Sequence, residues 1–374
     1  MITLGVEEEY LLFDPATGLP AAVAEEVLDV AGLDDAVSVA EVQHELLQVQ
    51  LEVATPVCES LDEVGGHLLR LRHALGTAAE RVGCRIGASG SAPFSVDGHP
   101  EITDTRRYRS MYEDAPQLVD EQMINGMHVH VAVPDRAAGV FVLNRLRPWL
   151  PVLVAVGANS PLWRGRDTGF ASWRTVVFGR WPVTGPPPPF ADAADYDRRV
   201  RALVTGGAIR DSGQIYWQAR LSERYPTIEV RAPDVQMRVE ETVMLAGLIR
   251  GLVLTALRER RADGTFPDEP DPPPTPELVN AAGWHAARQG LEGLLVGVGG
   301  GPVQARDAVQ DLLKYVTPAL DECGDSEQVT ALVGLLLEDG NGCRRQRRAL
   351  AESGPLGVLN LLATETVAGS DLVG

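Results

Sequence analysis

Lysine is nearly missing from this chain: Lys314 is the single one among 33 basic residues. A lysine-dependent mechanism therefore has one candidate, and no G-x-x-x-x-G-K-[ST] phosphate loop exists. Positive charge is scarce altogether. With 52 acidic residues the formal net charge is -19, which argues against a nucleic-acid or anionic-membrane binder, because phosphate affinity comes largely from Lys and Arg. Cysteine is sparse too: Cys58, Cys84, Cys323 and Cys343 lie far apart. Without C-x-x-C spacing, zinc ribbons and thioredoxin-like redox motifs find no support, and reduced thiols are expected. No uninterrupted apolar run reaches the ~18 residues needed to span a bilayer, and "MITLGVEEEY" has neither a basic n-region nor an apolar h-region. A cytoplasmic protein with no membrane partner is expected. The 45% hydrophobic content and mean hydropathy of -0.04 exclude a disordered or fibrous class.

Residues 1–374 read as one domain, with a Pro-rich loop over 267–276 and a part that reads as helical throughout from about 277. A second proline cluster, "GPPPPF", spans Gly185 to Phe190. Prolines fix φ and remove backbone donors, so both are surface connections. Leu61, Val64, Leu68, Leu71 and Leu75 recur at helical spacing, which leaves His67 and His73 as surface or boundary residues. Val239 to Ala262 predicts a second long helix.

Strands interleave with these helices. "GVEEEYLLF" places Glu7 and Glu9 on one face and Val6, Glu8 and Tyr10 on the other. "HELLQVQLEVATPV" alternates from Gln48, giving Gln48, Gln50 and Glu52 a shared face. "GMHVHVAV" sets His128 and His130 against Val129 and Val131, and "TIEVRAP" sets Glu229 and Arg231 against Ile228 and Val230. One apolar and one polar face per strand is the pattern of an α+β protein whose antiparallel or mixed sheet is covered by helices on one side.

In a single sheet, Glu7, Glu9, Glu52, His128, His130, Glu229 and Arg231 can converge. Neighbouring carboxylates repel unless water or a cation intervenes. Oxygen ligands with few histidines favour Mg²⁺ or Mn²⁺ over zinc. A solvated sheet face laced with ion pairs would carry the same alternation. The H-x-H pair is weak support for a metal hydrolase, since His285 is the only later histidine, and His130 is as compatible with a phosphate contact as with space-filling. In "NSPLWRGRDTGFASWRT", Arg164, Arg166 and Arg174 stand among Trp163 and Trp173. Planar guanidinium groups bind carboxylate and phosphate bidentately, so this run is a candidate substrate clamp.

"GVEEEYLLF", "HELLQVQLEVATPVC", "GMHVHVAV", "NSPLWRGRDTGFASWRT", "TIEVRAPD" and "GNGCRRQRR" occur in order from residue 5 to about 348. Together they resemble the carboxylate-amine ligases, also called glutamate-cysteine ligase type 2, of the glutamine synthetase-like superfamily. The resemblance implies a glutamine synthetase-like fold: an antiparallel sheet whose concave polar face is the active site. It further implies a ligase that uses ATP to convert a carboxylate, typically that of L-glutamate, to an acyl phosphate, which an amine such as L-cysteine then attacks. By motif, the metal ligands fall on Glu7, Glu9, Glu45, Glu52, His128 and Glu229, with Glu8 structural. Arg231 is the implied phosphate-side catalytic arginine and Arg174 the second. Arg164, Arg166, Arg231 and His130 are the candidate nucleotide contacts, ATP and Mg²⁺ the expected cofactors, and a homodimer or larger homo-oligomer the expected assembly. The Arg344 to Arg348 cluster is compatible with an ATP contact, a dimer contact or a solvated helix face. A ligase or phosphotransferase for another carboxylate and amine, and a silent nucleotide- or amino-acid-binding homologue, are the competing readings. The silent one is disfavoured because every implied ligand position still holds an acid or histidine.

Overall fold

The structure, a computed structural model, describes residues 2–31, 37–38, 40–95, 98–260 and 274–369. Seven strands form its main sheet: β1 (Leu4–Phe13), β2 (Val42–His44), β3 (Gln50–Ala54), β4 (Arg85–Gly87), β5 (Met127–Ala132), β6 (Ala219–Leu221) and β7 (Thr227–Val230). Their order is β6-β7-β5-β1-β3-β2, with β4 also on β1, and every pairing is antiparallel. The long strand β1 is the hinge of the arrangement. It opposes Glu9 to Glu52 on β3 and Glu7 to His128 on β5, and β5 in turn opposes His130 to Glu229 on β7. Directly opposed residues share a face, so this register gathers the polar side chains.

The opposite face is apolar. Val6, Val129, Val131, Ile228 and Val230 are all buried and form one core with Leu61, Val64 and Leu68 of the Leu61–Val82 helix and with the Val239–Leu257 helix. The first of these helices runs where its leucine spacing predicts. Ser60 accepts from the Glu63 amide at 3.2 Å, Glu63 accepts from the Glu59 amide at 2.7 Å, and Gly83 closes the other end at φ 87°. His67 is half-buried and His73 exposed on it. The second helix ends at Leu257 rather than Ala262. The apolar stretch Arg136–Val156 is the one among the described residues long and apolar enough to cross a membrane, and most of it is buried inside the protein.

Glu8 emerges on this apolar side and is completely buried. Arg72 grips it through two contacts, Nη2 to Oε1 at 2.6 Å and Nε to Oε2 at 2.9 Å, while Tyr10 and Thr242 donate their hydroxyls to it. Arg72 also donates to the carbonyls of Gln236 and Met237, each at 2.9 Å. Every polar group of this pair is thereby engaged, as burial of a charge demands.

Three expectations are corrected. The strand read from Gln48 begins at Gln50, because the Gln48 side chain turns away to Thr103 and Glu25. Glu45 accordingly lies outside any strand, in the connection between β2 and β3. The region after 277 is not helical throughout: a hairpin, Leu294–Val296 with Pro302–Gln304, follows the Pro276–Gln289 helix. Residues 267–273 of the Pro-rich loop lie outside the described residues.

Candidate functional site

Three overlapping groups of potential ligands stand on the polar face: Glu7, Glu52 and His128; Glu7, His130 and Glu229; Glu9, Glu45 and Glu52. Within each group one ligand atom per residue lies within 4.8 Å of the others. Glu7 links the first two groups and Glu52 links the first to the third. All six residues implied as metal ligands are thus brought together, Glu45 reaching the face from its loop, and His130 joins them.

The contacts among these groups are incomplete. His128 Nδ1 meets Glu7 Oε2 at 2.8 Å, but its Nε2 is buried with no hydrogen-bond partner, 3.7 Å from Glu9 Oε1. Glu9 Oε2 accepts from the Gly126 amide at 2.6 Å and Glu45 Oε2 from the Leu46 amide at 2.7 Å. Five carboxylates and an orphaned imidazole nitrogen fit a hard divalent cation, Mg²⁺ or Mn²⁺, better than they fit one another.

Electrostatics divide the carboxylates into two sets. Burial, reinforced by Glu9, pushes Glu45 up to about 7, and burial with Glu7, Glu45 and Glu9 nearby pushes Glu52 well above the carboxylate range. Burial also acts on Glu7, but hydrogen bonds to His128 and His130 overcome it and hold Glu7 well below its ordinary value. Glu229 is held far below by Arg231 and Arg220 despite burial. Burial and Arg231 lower His128; for His130 burial is outweighed by Glu7, which raises it. The surroundings therefore favour the ionised form at the Glu7 and Glu229 end of the face and shift the Glu45 and Glu52 end toward the protonated form.

Arginines border the cluster. Arg231, just past β7, pairs with Glu229 and lies 3.3 Å from His128 Nδ1. Arg220 on β6 binds Glu229 bidentately at 2.7 and 3.0 Å. It was missed, although "QARL" carries a signal: a charge alternating with the buried Ala219 and Leu221. Arg174, on the short Trp173–Phe178 helix, is 4% exposed, with weak contacts to the Arg231 and Ala232 carbonyls at 3.3 and 3.5 Å and Asp234 at 3.8 Å. Its placement comes from Asp234, which accepts from the Asn159 amide and from Ser160 and Ser172 hydroxyls at 2.7 to 2.8 Å. Much of the N-S-P…S-W-R run is thus a tie between this loop and the end of β7.

Two cavities open beside the cluster, and Arg174 and Arg231 line both. One, of about 160 Å³, includes Glu9, Glu45, Gln50, Arg107 and Tyr108; the other, of about 280 Å³, includes Phe178, Gln218, Asn280 and Trp284. Arg164 and Arg166 line neither. Arg164 bonds Glu121 at 3.1 Å beside a separate cavity with His99 and Asp120, and Arg166 is exposed. The structure thus does not bring these two candidate nucleotide contacts to the carboxylate face. The Arg344 to Arg348 cluster divides as well: Arg345 is buried on Glu241 at 2.6 Å, Arg347 pairs with Asp167 at 2.8 Å, and Arg344 and Arg348 are exposed.

The profile of glutamate-cysteine ligase family 2 matches residues 3–361. The chain belongs to that family. Relatives bear this out: "Putative glutamate--cysteine ligase 2-1" of Saccharopolyspora erythraea is 43% identical over 368 residues, 98% of this chain and 95% of that protein. "Putative glutamate--cysteine ligase 2-2" of Mycolicibacterium vanbaalenii is 46% identical over 351 residues, 93% of each. Among solved structures, glutamate–cysteine ligase of Francisella tularensis in complex with AMP superposes at a TM-score of 0.73 and 12% identity, covering 99% of this chain and 90% of that one. A bifunctional glutathione synthetase from Pasteurella multocida follows at 0.68 and 14%, covering 98% and 52%. The chain therefore shares the α+β fold of those proteins, and the motif resemblance is confirmed over nearly its whole length.

Proposed function

We propose that this protein is an ATP- and Mg²⁺-dependent carboxylate-amine ligase that activates the γ-carboxylate of L-glutamate as an acyl phosphate and transfers the γ-glutamyl group to an amine. The observation that carries this reading is the convergence of Glu7, Glu9, Glu45, Glu52, His128 and Glu229 on one face, bordered by Arg231 and Arg174. Those six residues would hold the cation, which neutralises phosphate charge when bound. Phosphoryl transfer needs positioning and charge neutralisation more than covalent help, so a chain with one lysine is no poorer for it. Arg231 offers a fixed fork to phosphate oxygens, and Arg220 holds Glu229 ionised and in place. Arg174, with three long contacts, keeps donors for a substrate carboxylate.

The test is ADP formation from Mg·ATP with L-glutamate and a panel of amines, cysteine among them, with mass detection of new amides. A γ-glutamyl amide accumulating with ADP supports the reading. Glutamate-independent ADP formation, or none with any pair, contradicts it.

A further inference from the structure

We infer that the cavity of about 280 Å³ beside Arg231 is the subsite for the amine acceptor, and that it selects an amine with an aromatic or bulky apolar body and no second positive charge. The inference rests on the ligase reading above and specifies its acceptor.

Size, wall chemistry and charge point the same way. The cavity adjoins the carboxylate face through the residues it shares with the smaller one, Arg174, Phe178, Tyr216 and Arg231. A nucleophile seated in it is thus one arginine away from the cluster. Its volume approaches the ~300 Å³ at which pockets accept drug-sized molecules, far beyond a thiol on one methylene. Phe178, Tyr216 and Trp284 supply aromatic surface, and Trp284 stays 49% exposed at the rim. An aromatic body would cover that surface.

Arg174, Arg180 and Arg231 line the cavity, and among the described residues no acidic one does. A diamine or basic amino acid would find no carboxylate in the described lining to pair with its second charge, although each wall arginine has its own carboxylate neighbour outside it, Asp234, Glu121 and Glu229. One acceptor atom awaits a donor: Gln218 Oε1 is buried without a hydrogen-bond partner. An amine N–H would satisfy it. In the transfer, the nitrogen lone pair forms the C–N bond, the acyl C–O bond to phosphate breaks, inorganic phosphate leaves with that electron pair, and the surplus N–H proton passes to solvent.

Gly283 tests the assignment because it lies in the cavity wall on the Pro276–Gln289 helix with open space before it. A Cβ there would meet only Gln218 Nε2, at 4.0 Å. Gly283→Leu would fill the cavity, while Gly283→Ala, which adds one methyl to the same helix, controls for folding. The wild-type enzyme is assayed with L-glutamate, Mg·ATP and L-phenylalanine, 2-phenylethylamine, L-cysteine or putrescine. Each variant is also melted with and without Mg·ATP.

The expected result is that the aromatic amines exceed cysteine at least 10-fold in kcat/KM and putrescine is inert. Gly283→Leu would lose aromatic-amine turnover more than 10-fold while keeping its Mg·ATP melting shift, and Gly283→Ala would lose less than 3-fold. Cysteine or putrescine preferred over the aromatic amines would overturn the assignment. So would a Gly283→Leu variant with unchanged aromatic-amine turnover, or one that loses the Mg·ATP shift, which would make the cavity a nucleoside pocket. If wild-type enzyme forms no ADP with glutamate and any amine, the ligase reading itself fails, a result separable from all of these.

Discussion

Filling the carboxylate face with a cation should expel protons in a number that the structure sets. Glu45, pushed up to about 7, carries about half a proton at pH 7, and Glu52, pushed well above the carboxylate range, adds a share of its own. Both must be ionised to act as ligands, so Mg²⁺ binding at pH 7 should release about half a proton from Glu45 and a further share from Glu52. By linkage the apparent affinity then rises with pH, the Glu45 share alone giving a slope of about 0.5 decade per pH unit at pH 7, or about 0.7 kcal/mol, and Glu52 steepening it. By pH 8 the Glu45 share should be down to about a tenth of a proton. Isothermal calorimetry of Mg²⁺ or Mn²⁺ binding in buffers of different ionisation enthalpy measures the number directly. Glu52→Gln should reduce it to about 0.5 at pH 7. Cation binding with no proton release, or affinity that falls as pH rises from 6 to 8, would refute the reasoning.

Other predictions follow from the same geometry. Without cation, the raised values of Glu45 and Glu52 mean that the folded state holds more protons than the unfolded chain between the ordinary carboxylate value and about 7. Stability in a chelator should therefore fall as pH rises through that window, by up to ~3 kcal/mol for Glu45 alone; a melting temperature that climbs from pH 5 to 7.5 would contradict this. Glu7 and Glu229, held low, act oppositely: their contribution is present above ~4.5, begins to decline below it and is gone only well below that value. Glu52→Gln should abolish ADP formation without loss of chelator-state stability. Glu8→Gln should instead cost about 3–5 kcal/mol by stranding the buried Arg72, yet leave turnover at low temperature within a few-fold; equal catalytic damage from both would sink the two-face assignment. Arg231→Lys should lose more than ~10-fold in kcat because the planar fork is gone. Mg·ATP at about 100 times its Kd should stabilise the protein by about 2.7 kcal/mol, a Tm rise of roughly 3 °C for a chain this long; no rise would count against a formed site.

Alternation carried most of what could be read in advance. Period two separated Glu7 and Glu9 from Glu8 because a strand offers only two faces, and the register then brought Glu52, His128 and Glu229 beside them. The burial of Glu8 on Arg72 follows from the same parity. Where the chain leaves regular structure, parity has nothing to say. Glu45 reaches the cluster from a connection, and its position came from motif resemblance. Arg164 and Arg166 share a dense polar run with Arg174, yet the loop turns between them and only Arg174 reaches the cavities. That turn is set by Asp234, about 60 residues away, through Ser160 and Ser172. Arg220 is a single charged residue in a three-residue strand, where one alternation is a faint signal. Arg107 and Tyr108 sit on a helix whose docking over the face depends wholly on tertiary contacts. The Arg345 to Glu241 pair shows the converse, a run compatible with a solvated helix face, among other readings, that turns one arginine inward against a partner 104 residues earlier.

The central claim is that the γ-carboxylate of glutamate is phosphorylated on this face. L-Glutamate labelled with ¹⁸O in that carboxylate, incubated with the enzyme, Mg·ATP and the best amine, tests it most directly. The account predicts one ¹⁸O atom transferred to each inorganic phosphate formed, with the amide retaining the other. Phosphate free of label, formed alongside amide, would show that the carboxylate is activated in another way and would contradict it.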